Sequence, residues 1–368
     1  MRTLLLTPGP LTTSERTRAA MERDWGSRDK GFVDLSELVR ARLLPLAGGT
    51  AETHAVVPLQ GSGTFAVEAA VQTFVPRDGR LLVLANGAYG RRIADIARAT
   101  GRTYVLCEWP EDQAVDPAAV AAILAEEPAI TDVAVVHGET TSGLVNDVEA
   151  VAAVVAAAGR RLLVDAIGSL GAVPIPAGLP YTALVGSANK GLESVPGLAF
   201  VAARKDALAA SAGNAASVVL DLHAQWQGFE GNGQWRFTPP THVVAALGAA
   251  LDQLDEEGGV AARQARYRRN CVVLIAGMRA LGFTPFLADD LQGPVITTFR
   301  TSPGFPFDAM YEWLHGRGVV IYPGKLTAAP SFRIGCIGDV GEDDMNRAVQ
   351  LVGEWLQTQG TAQPAAAD

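Results

Sequence analysis

Cysteine is scarce in this chain: three residues, Cys107, Cys271 and Cys336, are scattered through 368 positions. Their odd number and wide spacing exclude a disulfide framework or a paired-cysteine metal site, and they read as reduced intracellular thiols. Long apolar runs are also missing, none reaching the roughly 18 residues that a membrane-crossing helix requires. The run Leu4 to Leu6 behind Arg2 is too short for a signal peptide, so the cytoplasm is the expected location. Positive charge is in deficit. Thirty Lys and Arg against 39 Asp and Glu leave a formal charge of −9, which argues against nucleic acid or an anionic membrane as the main partner but leaves room for a local basic pocket. The five histidines, His54, His137, His223, His242 and His315, lack ligand spacing, so no metal is expected, and His137 reads as a structural strand-end residue rather than a general base.

What is present is a large apolar fraction, 48% hydrophobic against 19% charged, in a chain long enough for two cores. From about residue 60 to 205, short apolar runs alternate with alanine-rich helical stretches, the pattern of crossover units around a mostly parallel sheet. Strands are expected at 81–85, 103–107, 132–136, 161–165, 182–186 and 197–203. Helices are expected at 64–75, 88–99, 116–126 and 147–159, the third entered through Asp116-Pro117 and the fourth through Asn146 or Asp147. Two long helices follow, near 240–256 and 259–281, and the Glu256-Glu257-Gly258-Gly259 break between them sets the expected boundary. The division is thus 1–257 for an amino-terminal segment with the large unit, and 258–368 for a smaller α/β unit. The latter holds strands near 294–300, 319–322 and 331–335, helices near 307–317 and 342–357, and a tail, 359–368, expected to fray.

The strand 161–165 ends in Asp165, and downstream Lys190 closes the run Ser187-Ala188-Asn189-Lys190. A strand-end carboxylate and a lysine are the two groups that an enzyme using pyridoxal 5'-phosphate must supply: the amine bonds the cofactor aldehyde and the carboxylate keeps the ring nitrogen protonated. Either residue alone reads more simply as a turn former or a solvated charge. Gln60-Gly61-Ser62-Gly63-Thr64 precedes a helix and suits a phosphate at its amino terminus, although an N-cap with a tight turn explains Gly-Ser-Gly alone. Tyr89, in Asn86-Gly87-Ala88-Tyr89-Gly90, follows a strand end and is placed either to stack on a ring or to sit half-buried on its helix. His137-Gly138-Glu139-Thr140-Thr141-Ser142-Gly143 brings hydroxyls to the same edge, or is merely a polar turn. Strand ends near 60, 86, 138 and 165, with Lys190, together favour the cofactor. The arginines 263, 266, 268 and 269 read as the solvated face of a helix.

Beyond these words, Leu6-Thr7-Pro8-Gly9-Pro10, Leu220-Asp221-Leu222, Trp235-Arg236-Phe237-Thr238, Tyr322-Pro323-Gly324-Lys325 and Phe332-Arg333-Ile334-Gly335 give an end-to-end resemblance to the class V aminotransferases. The Trp-Arg-Phe-Thr and Tyr-Pro-Gly-Lys words are similar to its aminoethylphosphonate branch. The resemblance implies fold type I, with a seven-stranded, mostly parallel sheet flanked by helices and a smaller carboxyl-terminal α/β unit. It implies transfer of an amino group from 2-aminoethylphosphonate to pyruvate, with an alanine- or serine:glyoxylate-type aminotransferase as the alternative. By the same resemblance Lys190 and Asp165 are catalytic, Ser62, Gly63, Thr64, Tyr89 and Thr141 hold the cofactor with Thr238 of a second subunit, and Arg333 and Gly9 meet the substrate. A homodimer with active sites at the subunit interface follows, and the segment Trp25-Gly26-Ser27-Arg28-Asp29 falls where the family shapes its substrate entrance.

Overall fold

In the computed structural model, which describes residues 2–359, strand side chains point alternately to the two faces of one large sheet, and both faces are apolar. Leu82, Leu84, Val133, Val135, Val164 and Leu184 enter the core on one face. Leu81, Val83, Ala134, Val136, Leu163 and Val185 enter the core on the other. Strands buried on both sides need helices on both sides, and crossover connections supply them.

The sheet has seven strands in the spatial order His54–Gln60, Leu198–Arg204, Ala183–Ser187, Arg161–Asp165, Asp132–Val136, Arg80–Ala85 and Thr103–Glu108. Leu198–Arg204 is antiparallel to both neighbours, and the remaining pairs are parallel. This is the mostly parallel α/β sheet that the sequence pattern implies. Helix entry is set by local chemistry. Asp116 Oδ1 accepts from the Ala118 N–H at 2.9 Å ahead of Pro117, and Asp147, rather than Asn146, caps the helix Val148–Ala157 by accepting from the Ala150 N–H at 2.9 Å. Asn146 is buried instead, donating to Val136 O at 2.8 Å and accepting from Asn86 at 2.8 Å and from the Val115 N–H at 2.9 Å.

The helix Lys30–Leu46 escaped the sequence reading because Gly31 and Pro45 interrupt its pattern, yet Phe32, Ser36, Val39 and Leu43 form a buried stripe at helical spacing. The strand His54–Gln60 was legible only through its end at Gln60. Trp25 packs against the main core with the Arg23 guanidinium 4.0 Å from its ring centroid.

A separate core gathers the last third of the chain. It is built on the antiparallel strands Ile296–Arg300, Ser331–Gly335 and Tyr322–Pro323 and on the helices Gly259–Ala280, Phe307–His315 and Glu342–Thr358. Leu4–Leu5, grouped with the larger unit by chain order, pairs in parallel with Val319–Val320, and Leu4 and Leu6 are buried in this core. The expected fraying at 359–368 falls, beyond Gln359, outside the described residues.

The arginine run of Gly259–Ala280 is not uniformly solvated. Arg263 is 1% exposed and Arg266 half-buried, whereas Arg268 and Arg269 face outward. A helix places residues three apart on one face, and here that face meets carboxylates and carbonyls that the sequence could not locate.

Phe332 is fully buried with its ring centroid 5.3 Å from Phe283 and 5.5 Å from Phe299. Phe332→Ala is expected to lower unfolding free energy by about 3–5 kcal/mol, because the surrounding rings cannot all collapse into the space. Equilibrium denaturant unfolding checks this, and a loss under about 1 kcal/mol would show that the cluster closes over the gap.

Candidate active site

Strands that run the same way end on the same edge, and there the structure opens a cavity of about 310 Å³. Its wall includes Ser62, Gly63, Thr64, Tyr89, Asp165 and Lys190, the groups that the sequence places on separate strand ends. A wider cleft of about 860 Å³ lies at the opposite edge beside Arg77, Arg161, Tyr181 and Arg204, away from Asp165 and Lys190.

At one end of the cavity the helix Gly63–Phe74 begins. Ser62 stands at its N-cap in extended conformation without spending its side chain on a capping bond, so the Gly63 and Thr64 N–H groups stay open to an anion, while the Phe65 N–H donates to Ser62 O at 3.0 Å. Arg92 adds a full positive charge: its Nη1 donates to Thr64 Oγ1 at 3.2 Å and its guanidinium stands 4.7 Å from the Tyr89 ring centroid. The sequence reading passed over Arg92, although its position three residues after Tyr89 puts both on one helix face. A Cβ on Gly63 would come within 2.5 Å of Ile167 Cδ1, so the close approach here needs glycine.

Asp165 is buried at the end of its strand, where Oδ1 accepts from the Ile167 N–H at 2.9 Å. Burial pushes its carboxyl up from 3.8 to about 6, with Glu139 adding to the rise and the Ile167 bond, Lys190 and Arg92 opposing it. Lys190 is shifted the other way, below an ordinary lysine, mainly by burial. Tyr89 and Asp165 oppose that shift, and the charges of Arg333 and Lys325 add to it. Burial alone would raise the Tyr89 phenol, yet the positive charges of Lys190, Lys325 and Arg333 and a bond with Thr140 outweigh it and bring it below its usual range.

The turn that carries Lys190 is held from behind. The Glu193 N–H donates to Lys190 O at 2.9 Å, and Glu193 sits at φ 58°, a left-handed conformation unusual for a side chain this large. Its carboxylate accepts from Tyr267 Oη and from Arg266 Nη2 at 2.7 Å, with Arg263 Nη2 at 3.6 Å. Gly9, at φ 118°, packs on the lysine's other side. A Cβ there would meet Asn189 O at 2.2 Å, while Gly9 O faces Lys190 Nζ at 3.5 Å.

Thr141 does not enter the cavity; Thr140 lines it instead. The Thr141 hydroxyl donates to Glu139 Oε1 at 2.6 Å and accepts from the Ala88 N–H at 3.2 Å, because Glu139 is fully buried and needs every donor nearby. Glu139 also accepts from the Tyr89 N–H at 3.1 Å, which sets a carboxylate at the start of the helix Ala88–Ala99. Arg333 stands beside the cavity, 4% exposed, donating from Nε to Pro323 O at 3.0 Å and from Nη1 to Thr140 O at 3.0 Å. Thr238 is exposed and lies outside the cavity of its own chain, as does Trp25. His137 is buried against Ser169 Oγ at 2.9 Å, and burial pushes its imidazole down to about 4, which keeps it neutral.

These groups fit pyridoxal 5'-phosphate. An open helix terminus with Arg92 suits the phosphate, a buried carboxyl whose pKa is raised suits a protonated ring nitrogen, and an amine of lowered pKa suits the aldehyde.

The family model for aminotransferase class V matches residues 13–339. Over 357 residues the chain is 52% identical to a Pseudomonas putida KT2440 protein named 2-aminoethylphosphonate–pyruvate transaminase, covering 96% of this chain and 97% of that protein. A protein of the same name from Pseudomonas aeruginosa PAO1 is 51% identical, with 96% of each chain covered. Among solved structures, pyridoxamine-pyruvate aminotransferase from Mesorhizobium loti superposes with a TM-score of 0.90 at 26% identity, covering 99% of this chain and 94% of that one.

The Asp165 shift carries a sign that can be tested. Its folded value of about 6 lies above the ordinary 3.8, so the fold favours the protonated acid. That contribution is complete below the unfolded value and is lost as pH rises through the folded one, after which the buried charge costs about 3 kcal/mol. In the cofactor-free protein, Asp165→Asn is expected to raise stability at about pH 8, with the gain roughly halved at about pH 5. A gain independent of pH in denaturant melts would refute the shift.

Proposed function

The chain belongs to the class V aminotransferases, and we propose that it transfers the amino group of 2-aminoethylphosphonate to pyruvate, leaving phosphonoacetaldehyde and L-alanine. The observation that carries this is the meeting of Lys190 and Asp165 in one cavity with an anion-binding helix terminus at one end and Arg333 beside it. The relatives at 50–52% identity select the donor.

The cofactor is pyridoxal 5'-phosphate. When bound, it supplies an aldehyde carbon that takes up the amine and a conjugated ring that accepts the electron pair left by proton loss. Ser62, Gly63, Thr64 and Arg92 hold the phosphate through backbone N–H groups, hydroxyls and charge. Asp165 would hold a proton on the ring nitrogen, its own ionised form being favoured beside that cation. Lys190 Nζ takes the proton from the substrate carbon that bears nitrogen, a task for which a depressed amine pKa keeps a neutral fraction available. Tyr89 would flank the ring, and Arg333 would receive the acidic end of each substrate with the N–H groups not given to Pro323 O and Thr140 O.

The same reading includes a homodimer that brings Thr238 of a second subunit to the phosphate. Support comes from the exposed apolar side chains Phe65, Val218, Val219 and Phe237. Arg236 joins two of these segments, donating to Val218 O at 2.8 Å and standing 4.9 Å from the Phe237 ring centroid. Isolated large apolar groups are ordinary on a surface, but Val218, Val219 and Phe237 lie on segments that Arg236 joins next to Thr238, which favours a covered face. No helix among the described residues is long and apolar enough to cross a membrane, and a cytoplasmic location completes the proposal.

Adding 2-aminoethylphosphonate without a keto acid to the cofactor-loaded protein is expected to bleach its visible absorbance band, and pyruvate to restore it. A band that ignores this amine but responds to L-alanine or L-serine would discard the phosphonate donor. Asp165→Ala is expected to keep part of the cofactor and lose most of the turnover, at least about a hundredfold.

A further inference from the structure

Two cations, Arg333 and Lys325, stand beside the cavity on its Thr140 and Tyr89 wall. Arg333 donates to Thr140 O at 3.0 Å, and Lys325, an exposed residue, places its Nζ 4.9 Å from the Tyr89 ring centroid, while Lys190 in the cavity wall is taken up by the cofactor. Among the described residues Lys325 has no carboxylate partner and no hydrogen bond, while many of the chain's surface arginines are paired. An exposed ammonium over an aromatic face, with no other partner among the described residues, is available to an anion that enters beside Arg333.

Arg333 by itself is poorly equipped to hold a phosphonate. Its Nε is committed to Pro323 O at 3.0 Å and one Nη1 hydrogen to Thr140 O at 3.0 Å, so the side of the guanidinium fork that contains Nε is occupied. A carboxylate, with one charge and two oxygens, is served by the donors that remain. A phosphonate has three oxygens and, like other phospho groups, more than one negative charge near neutral pH. It needs a further donor.

The loop that bears Lys325 is fixed well enough to provide one. It leaves the hairpin in which Tyr322 pairs with Arg333, so both cations ride on the same pair of strands. The Gly324 N–H donates to Ser331 O at 2.9 Å. Two residues after the lysine, the Thr327 N–H donates to Glu111 Oε2 at 2.8 Å, and Glu111 Oε1 meets Arg91 Nη1 at 3.2 Å. Glu111 is 4% exposed, so a buried carboxylate of the larger unit anchors this loop of the smaller one, and Leu326 packs against Leu144, Phe286 and Leu287.

We propose that Lys325 is a specificity-determining residue that, together with Arg333, binds the phosphonate end of the donor and sets the preference for it over a carboxylate. This rests on the reading of the protein as an aminophosphonate transaminase. It separates the two half-reactions: the phosphonate engages both cations, and the carboxylate of pyruvate or alanine depends chiefly on Arg333.

The test uses the cofactor-loaded protein, Lys325→Gln and Lys325→Arg, with ethylphosphonate and propionate as probes that have the acidic ends but no amine. Dissociation constants come from titration calorimetry, and KM and kcat are measured with 2-aminoethylphosphonate and with L-alanine. Lys325→Gln is expected to weaken ethylphosphonate about tenfold more than propionate, to raise KM for the phosphonate donor by a similar factor with a smaller change in kcat, and to be largely rescued in Lys325→Arg. Equal weakening of both probes, or no weakening of ethylphosphonate, overturns the proposal while leaving the transaminase reading in place. A wild-type protein that turns over L-alanine but not 2-aminoethylphosphonate overturns both, and is recognised without any variant.

Discussion

A shared strand direction is the constraint on which the rest depends. His54–Gln60, Arg80–Ala85, Asp132–Val136, Arg161–Asp165 and Ala183–Ser187 all finish at one edge, because the connections between them, most of them through helices, return the chain to the same starting side. Residues far apart in sequence are thereby delivered to one place. The antiparallel strand Leu198–Arg204 between His54–Gln60 and Ala183–Ser187 keeps that geometry, since two reversals restore the direction of its outer neighbour.

Gathering these groups also removes them from water, and burial does much of the chemical preparation. It raises Asp165 and lowers Lys190, two opposite shifts that bring an acid and an amine toward the neutral range from either side. The phenol of Tyr89 is driven down despite burial because cations surround it. A pocket in this condition favours a ligand with an anionic tail and a cationic ring, so the same interactions that make the cavity costly on its own contribute to binding once filled.

The second core does more than cover the edge of the first. Arg266 and Tyr267 on the helix Gly259–Ala280 grip Glu193, which in turn holds the turn of Lys190, so the lysine's position depends on a helix that begins about seventy residues later in the chain. In the other direction Glu111 of the larger unit anchors the loop of Lys325, and Thr140 O orients Arg333. The cavity is therefore clamped from both sides by hydrogen bonds that cross between the two cores.

Periodicity, strand-end chemistry and glycine placement were enough by themselves to read the alternation of strands and helices from about residue 60 to 205, the edge where ligands would bind, and the pair Asp165 and Lys190, but not the helix Leu222–Asn232. Those are local properties: a period of two or of 3.6, a cap, a turn, each readable within a short window. The helix Lys30–Leu46 was lost where glycine and proline blurred that window. The tertiary structure alone decided which hydroxyl faces the cavity, since Thr140 and Thr141 look alike in sequence and only the buried Glu139 turns Thr141 away. It alone separated Arg263 and Arg266 from their exposed neighbours, and brought Arg92 and Lys325 to 4.7 and 4.9 Å from the Tyr89 ring centroid. Such assignments depend on partners tens or hundreds of residues distant, and no short window contains both members of the pair.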